Sequence, residues 1–138
     1  MERRRPRNPP ARPLVLVIDR DEDARALYAL ALSASGFDVV AVQDEAEAFN
    51  RAWEIHPDII VADLPTPDSD GWQVLETLKQ NPRTQDIPVV AVSDHPSPGE
   101  RAAREGFAAF LSKPCWPDEL ADGLRQVLSG KTHATAGR

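Results

Sequence analysis

The chain reads as an α/β protein built on a doubly wound, five-stranded parallel sheet in the order 2-1-3-4-5. Three observations predict it. Five short apolar runs recur along the 138 residues, each followed by a helix-like segment. The runs are apolar throughout rather than alternating, as in strands covered on both faces. Strict alternation of the two patterns implies right-handed crossovers and a parallel sheet. Five such units suit the 2-1-3-4-5 order, which binds ligands beyond the carboxyl ends of the strands, at the switch point between the first and the third.

The first strand spans residues 14–19. Asp21 can cap the next helix, whose expected inner face is Ala24, Leu27, Ala31 and Ala34 and which ends at Gly36. The second strand covers 37–42. Asp44 caps a helix with Ala46, Phe49, Ala52 and Trp53 on one side. Pro57 and Asp58 lead into the strand 59–63. Ser69 or Asp70 starts a third helix with Val74, Leu75 and Leu78 inward. Residues 88–93 form the fourth strand. Ser97 and Pro98 suit the start of a short fourth helix that Gly106 closes, before a fifth strand over 107–112. Pro117 opens the fifth helix, with a stripe of Leu120, Leu124, Val127 and Leu128.

Composition sets bounds on function. Hydrophobic content of 41% and charged content of 28% are ordinary for a globular domain. No apolar run approaches the roughly 20 residues of a membrane helix, and the basic start of the chain has no apolar segment like that of a secretory signal. A single cysteine, Cys115, excludes an internal disulfide and suits the cytoplasm. The net charge of −6 is unevenly spread: residues 1–13 carry five arginines and one glutamate, residues 14–129 nine basic and 21 acidic residues. The acidic body argues against nucleic acid and membrane surfaces as partners. Residues 1–12 read as a disordered basic arm, 13–129 as the domain and 130–138 as a flexible tail. Trp53, Trp116 and Cys115 read as packing or surface residues, and Asp68 as a solvated loop acid. His56, His95 and His133 share no metal-ligand spacing.

The ends of the strands carry the chemistry. Asp63 closes the run of residues 59–62 and opens onto a turn-rich loop, where packing gives no reason for a carboxylate. The first strand ends at Asp19, the fourth at Ser93, and Lys113 and Pro114 follow the fifth. Two acids, a hydroxyl and an amine at one edge suit a phosphoryl group and a cation.

With these residues in place the chain resembles a bacterial response-regulator receiver domain, of the stand-alone chemotaxis type with a flavodoxin-like (βα)5 fold. The resemblance covers residues 13–129. It rests on Asp19, on the pattern Asp63-x-x-x-Pro67-x-x-Asp70-Gly71, on Ser93 and on Lys113-Pro114. It implies a single-domain receiver of a two-component phosphorelay. Asp63 would take a phosphoryl group from a histidine kinase or a histidine phosphotransfer protein, or from a small phosphodonor. The chain would be no enzyme beyond this and a weak autodephosphorylation. Mg2+ would be held by Asp19, Asp63 and the backbone carbonyl of Pro65. Lys113 would pair with Asp63 and then with a phosphoryl oxygen. Ser93 and Phe110 would be the switch pair. Output would be a contact with a downstream protein through the fourth helix, fifth strand and fifth helix, and a homodimer is compatible with it.

Two positions depart from the family pattern. Arg20 stands where the family has a second acid, a direct magnesium ligand, and Asp94 stands where it favours a small residue. A guanidinium near the metal, or in its place beside Asp63, would weaken or abolish magnesium binding; turned outward, it would leave a weaker site. Asp21 comes one residue late and should face elsewhere. These departures keep a second reading open: a degenerate receiver that binds partners without phosphorylation. A remote third reading takes Asp19-Arg20-Asp21 as the Asp-x-Asp of a haloacid-dehalogenase-like phosphatase with Asp19 as nucleophile. Against it, the chain is short for that family and lacks its cap.

Overall fold

In the computed structural model, residues 12–63, 71–93, 106–113 and 116–130 are described. They comprise β1 (Leu14–Ile18), α1 (Glu22–Ala34), β2 (Asp38–Val42), α2 (Glu45–Ile55), β3 (Ile59–Asp63), α3 (Gly71–Lys79), β4 (Val89–Ser93), β5 (Ala109–Ser112) and α4 (Pro117–Leu128). The helix predicted from Ser97 and Pro98 lies outside the described residues, so α4 is the fifth helix of the sequence reading. All strand pairs are parallel and the order is β2-β1-β3-β4-β5, as predicted.

Residues alternate between the two faces of the sheet, and each face has its own core. Leu16, Ile18, Ile60 and Ala62 pack with Val74, Leu75 and Leu78 of α3 and with Ala48 and Ala52 of α2. Val15, Val17, Ile59 and Val61 pack with Leu32 and Phe37 on one side and with Leu120, Leu124 and Val127 of α4 on the other. The predicted inner faces of α3 and α4 are therefore those observed.

The inner faces predicted for α1 and α2 need correction. Leu27 is 67% exposed and Ala34 is also exposed, while Leu32 is the buried residue of α1. In α2, Ala48 and Ala52 are buried, whereas Ala46 is exposed and Trp53 is 45% exposed. Both helices are rich in alanine, which gives a weak apolar contrast. A one-position error in the stripe rotates the face by about 100°.

The core of β1–β3 register is fixed at its start. Leu14 N donates to Asp58 Oδ2 at 2.7 Å, and Asp58 N donates to Leu14 O at 2.9 Å. Pairing then runs from Val15 with Ile59 to Ile18 with Ala62. Arg12, the last residue of the predicted arm, binds Asp38 Oδ1 and the carbonyls of Ser33 and Phe37. Arg125 of α4 reaches the same turn, donating to Ser35 O with its guanidinium 5.3 Å from the Phe37 ring.

At the far end of α2, His56 adopts φ 47°, a left-handed cap. Arg83 lies 4.3 Å from the Trp53 ring centroid, and its Nε donates to Trp53 O at 2.7 Å. Thr84 is fully buried and donates to Leu78 O at 2.8 Å, which closes the segment after α3. No helix among the described residues is long and apolar enough to cross a membrane.

Candidate functional site

Asp63 is the last residue of β3, the central strand. Its side chain is 9% exposed. Lys113 follows β5, and its backbone N–H donates to Ser93 O at 2.8 Å, which carries the β4–β5 ladder one residue beyond the strand. The lysine side chain spans the end of β4 and places Nζ 2.6 Å from Asp63 Oδ2. Burial pushes the Asp63 carboxyl up to about 6; the Lys113 hydrogen bond opposes this, and the nearby Asp19 carboxylate adds to it.

Asp19 leaves β1 level with Asp63. It is buried, and its N–H donates to Val42 O at 3.0 Å. Its Oδ1 accepts from the Asp21 N–H at 2.9 Å, and its carbonyl accepts from Arg25 Nη1 at 2.9 Å. The same Arg25 nitrogen reaches Arg20 O at 3.1 Å. Asp21 is the N-cap of α1, with Oδ2 accepting from Ala24 N at 2.9 Å. Arg20 itself is exposed, and the cation paired with Asp63 is Lys113.

Between the ends of β1, β2 and β3 lies a cavity of about 140 Å³. Asp19, Arg20, Asp21, Asp44, Glu45 and Asp63 line it, with Ile18, Ala62 and Val74 as its floor. Asp21 thus does face the cavity, although its carboxylate is engaged as a cap. Two carboxylates from adjacent strands opening on one small cavity fit a hard divalent cation. Among the described residues no group of three or more His, Cys, Asp and Glu is disposed to hold a metal. Further ligands would have to come from backbone carbonyls and water.

Ser93 is fully buried at the end of β4, and Phe110 is buried in the core shared with α2 and α3. Asp19, Asp63, Ser93 and Lys113 therefore meet at one edge of the sheet, as the sequence predicts. Pro65, Asp94 and Pro114 lie outside the described residues. Sequence reasoning missed Tyr28, whose hydroxyl is 3.5 Å from Asp63 Oδ2. A tyrosine within a helical stripe signals packing, and nothing in its spacing points to a strand end 35 residues later.

Residues 15–125 match the family model for the response regulator receiver domain. The chain belongs to that family. The receiver is 32% identical over 116 residues to the polar-differentiation response regulator DivK of Brucella ovis, covering 83% of this chain and 94% of DivK. It is 36% identical over 118 residues to the transcriptional regulatory protein PrrA of Mycobacterium bovis, covering 84% of this chain and 50% of PrrA. Among solved structures, a response regulator from Desulfuromonas acetoxidans superposes with a TM-score of 0.74 at 31% identity, over 83% of this chain and 95% of that one. The chemotaxis response regulator CheY4 of Vibrio cholerae has the same fold, with a TM-score of 0.75 at 23% identity, covering 84% of this chain and 98% of that one.

Proposed function

We propose that this receiver accepts a phosphoryl group on Asp63 from a phosphohistidine of a kinase or phosphotransfer protein and signals by protein contact. The observation that carries the reading is the Lys113–Asp63 pair at 2.6 Å beside Asp19, at the carboxyl edge of the sheet. One Asp63 oxygen attacks phosphorus as the P–N bond breaks, and the imidazole leaves with the electron pair. Lys113 already sits where it can follow the charge onto a phosphoryl oxygen. Ser93, buried at the next strand end, can donate a second hydrogen bond, with Phe110 behind it as the aromatic partner of that movement.

Asp19, Asp63 and the carbonyl of Pro65 would hold Mg2+, which when bound neutralises the crowded oxygens of the transferring group. The acidic set is one ligand short, because Arg20 replaces an acid, so the binding is weak. Residues 13–129 form the receiver unit, flanked by a basic arm and a tail. The setting is the cytoplasm, and output runs through β5, α4 and the segment from Ser97 that the sequence predicts as the fourth helix. The protein is a phosphoacceptor rather than a catalyst of turnover.

Arg20 also favours the second reading, a receiver that recognises partners without phosphorylation. Incubation with magnesium and acetyl phosphate, followed by intact-mass measurement, separates the two. A gain of one phosphoryl group that Asp63→Asn abolishes supports phosphotransfer. No gain supports the binding-only module. Turnover of a phosphomonoester lost in Asp19→Asn but kept in Asp63→Asn would instead indicate a phosphatase.

A further inference from the structure

Helix α1 is tied to the acidic site by its own first turns. The Asp21 N–H sits on Asp19 Oδ1, and Arg25 brackets the carbonyls of Asp19 and Arg20. Tyr28 stands three residues beyond Arg25 and seven beyond Asp21, on the same side of the helix. Its ring is half-buried against the core that contains Val17 and Val61, so packing sets its direction. Phenylalanine would pack as well. What the tyrosine adds is a hydroxyl, and that hydroxyl points at Asp63 Oδ2 from the α1 side while Lys113 addresses the same oxygen from β5.

We propose that Tyr28 is a positioning residue for phosphoryl transfer. Its hydroxyl, donating to Oδ2 beside Lys113, holds the carboxylate so that Oδ1 is presented to the phosphoryl donor. The proposal rests on Asp63 being the acceptor. When the Oδ1–P bond forms and the leaving group departs with its electron pair, Oδ2 becomes the carbonyl oxygen of the acyl phosphate and keeps the tyrosine donor, while Lys113 turns to a phosphoryl oxygen. The observed 3.5 Å is long beside the roughly 2.7 Å usual for O–H···O. Contacts of this kind tighten when the reacting group arrives.

Tyr28 is the only tyrosine in the chain, so full-length protein labelled with 13C at tyrosine Cζ gives one signal. That signal should shift in Asp63→Asn and again when wild type takes up a phosphoryl group from acetyl phosphate. Tyr28→Phe should keep the wild-type thermal midpoint and gain phosphoryl mass about fivefold more slowly, the loss of one modest hydrogen bond. Labelling of Tyr28→Phe at the wild-type rate, or a Cζ signal indifferent to Asp63→Asn, overturns the proposal alone. No mass gain in wild type overturns the acceptor reading and this proposal with it.

Discussion

Lys113 crosses the end of an intervening strand to set its ammonium 2.6 Å from Oδ2 of Asp63, two strands away. The pair joins a nearly buried carboxylate to a lysine side chain that is 36% exposed. Burial disfavours the charge on Asp63, and Lys113 restores only part of what burial takes away.

Removing the amine should therefore leave Asp63 harder to ionise. Lys113→Ala is expected to move the carboxyl further above about 6, read from the 13Cγ shift of Asp63 across a pH series. The fold should survive, because the lysine is partly solvated. A drop in the thermal midpoint as large as that of a core truncation would instead make Lys113 a structural residue.

Acid stability follows from the same carboxyl. Asp63 ionises near 3.8 in the unfolded chain and near 6 in the fold. Folding takes up a proton between these values, so the stability it contributes is complete below 3.8 and is lost as pH rises through 6. Asp63→Asn stays neutral throughout. It should be more stable than wild type at neutral pH by about 1 kcal/mol, part of the gain being offset by the abandoned Lys113, and the difference should vanish near pH 4. Paired urea titrations at several pH values measure it. A difference independent of pH would refute the assigned shift.

Arg20 lies exposed at the mouth of the cavity. Arg20→Asp removes a cation and supplies a carboxylate, and should strengthen magnesium binding about tenfold or more. Calorimetric titration of both proteins decides the matter. Equal and tight affinity in both would show that the arginine has no influence on the metal.

Thr84 tests the far side of the molecule. Its hydroxyl is buried on Leu78 O. Thr84→Val keeps the shape but leaves that carbonyl only the long Asn81 N–H contact at 3.4 Å, at a cost of about 1 kcal/mol. Phosphoryl uptake by Asp63 should be unchanged. A neutral denaturation midpoint would mean that the Asn81 N–H alone satisfies the carbonyl.

The sheet order and the four strand-end residues were legible because both follow from coarse signals: continuous apolar runs, and polar residues where packing needs none. The faces of α1 and α2 were not, since alanine marks neither inside nor outside and Leu27 belongs to solvent despite its chemistry. The part played by Asp21 was only half legible: its place after β1 gave the cap, but not its presence in the cavity wall. Tyr28 was invisible for another reason. Its meeting with Asp63 depends on how far α1 leans over the sheet, which no local pattern encodes.

Asp58 gives the site a ruler. By exchanging two hydrogen bonds with Leu14 at the opposite end of the sheet, it starts both central strands from a common zero. Asp19 and Asp63 each lie five residues further on, roughly 17 Å away at the rise of an extended chain. The two acids are thus made level by a measurement taken at the base of the molecule. One residue gained or lost in either strand would leave the pin intact, lift one acid out of step with the other and turn its side chain to the opposite face.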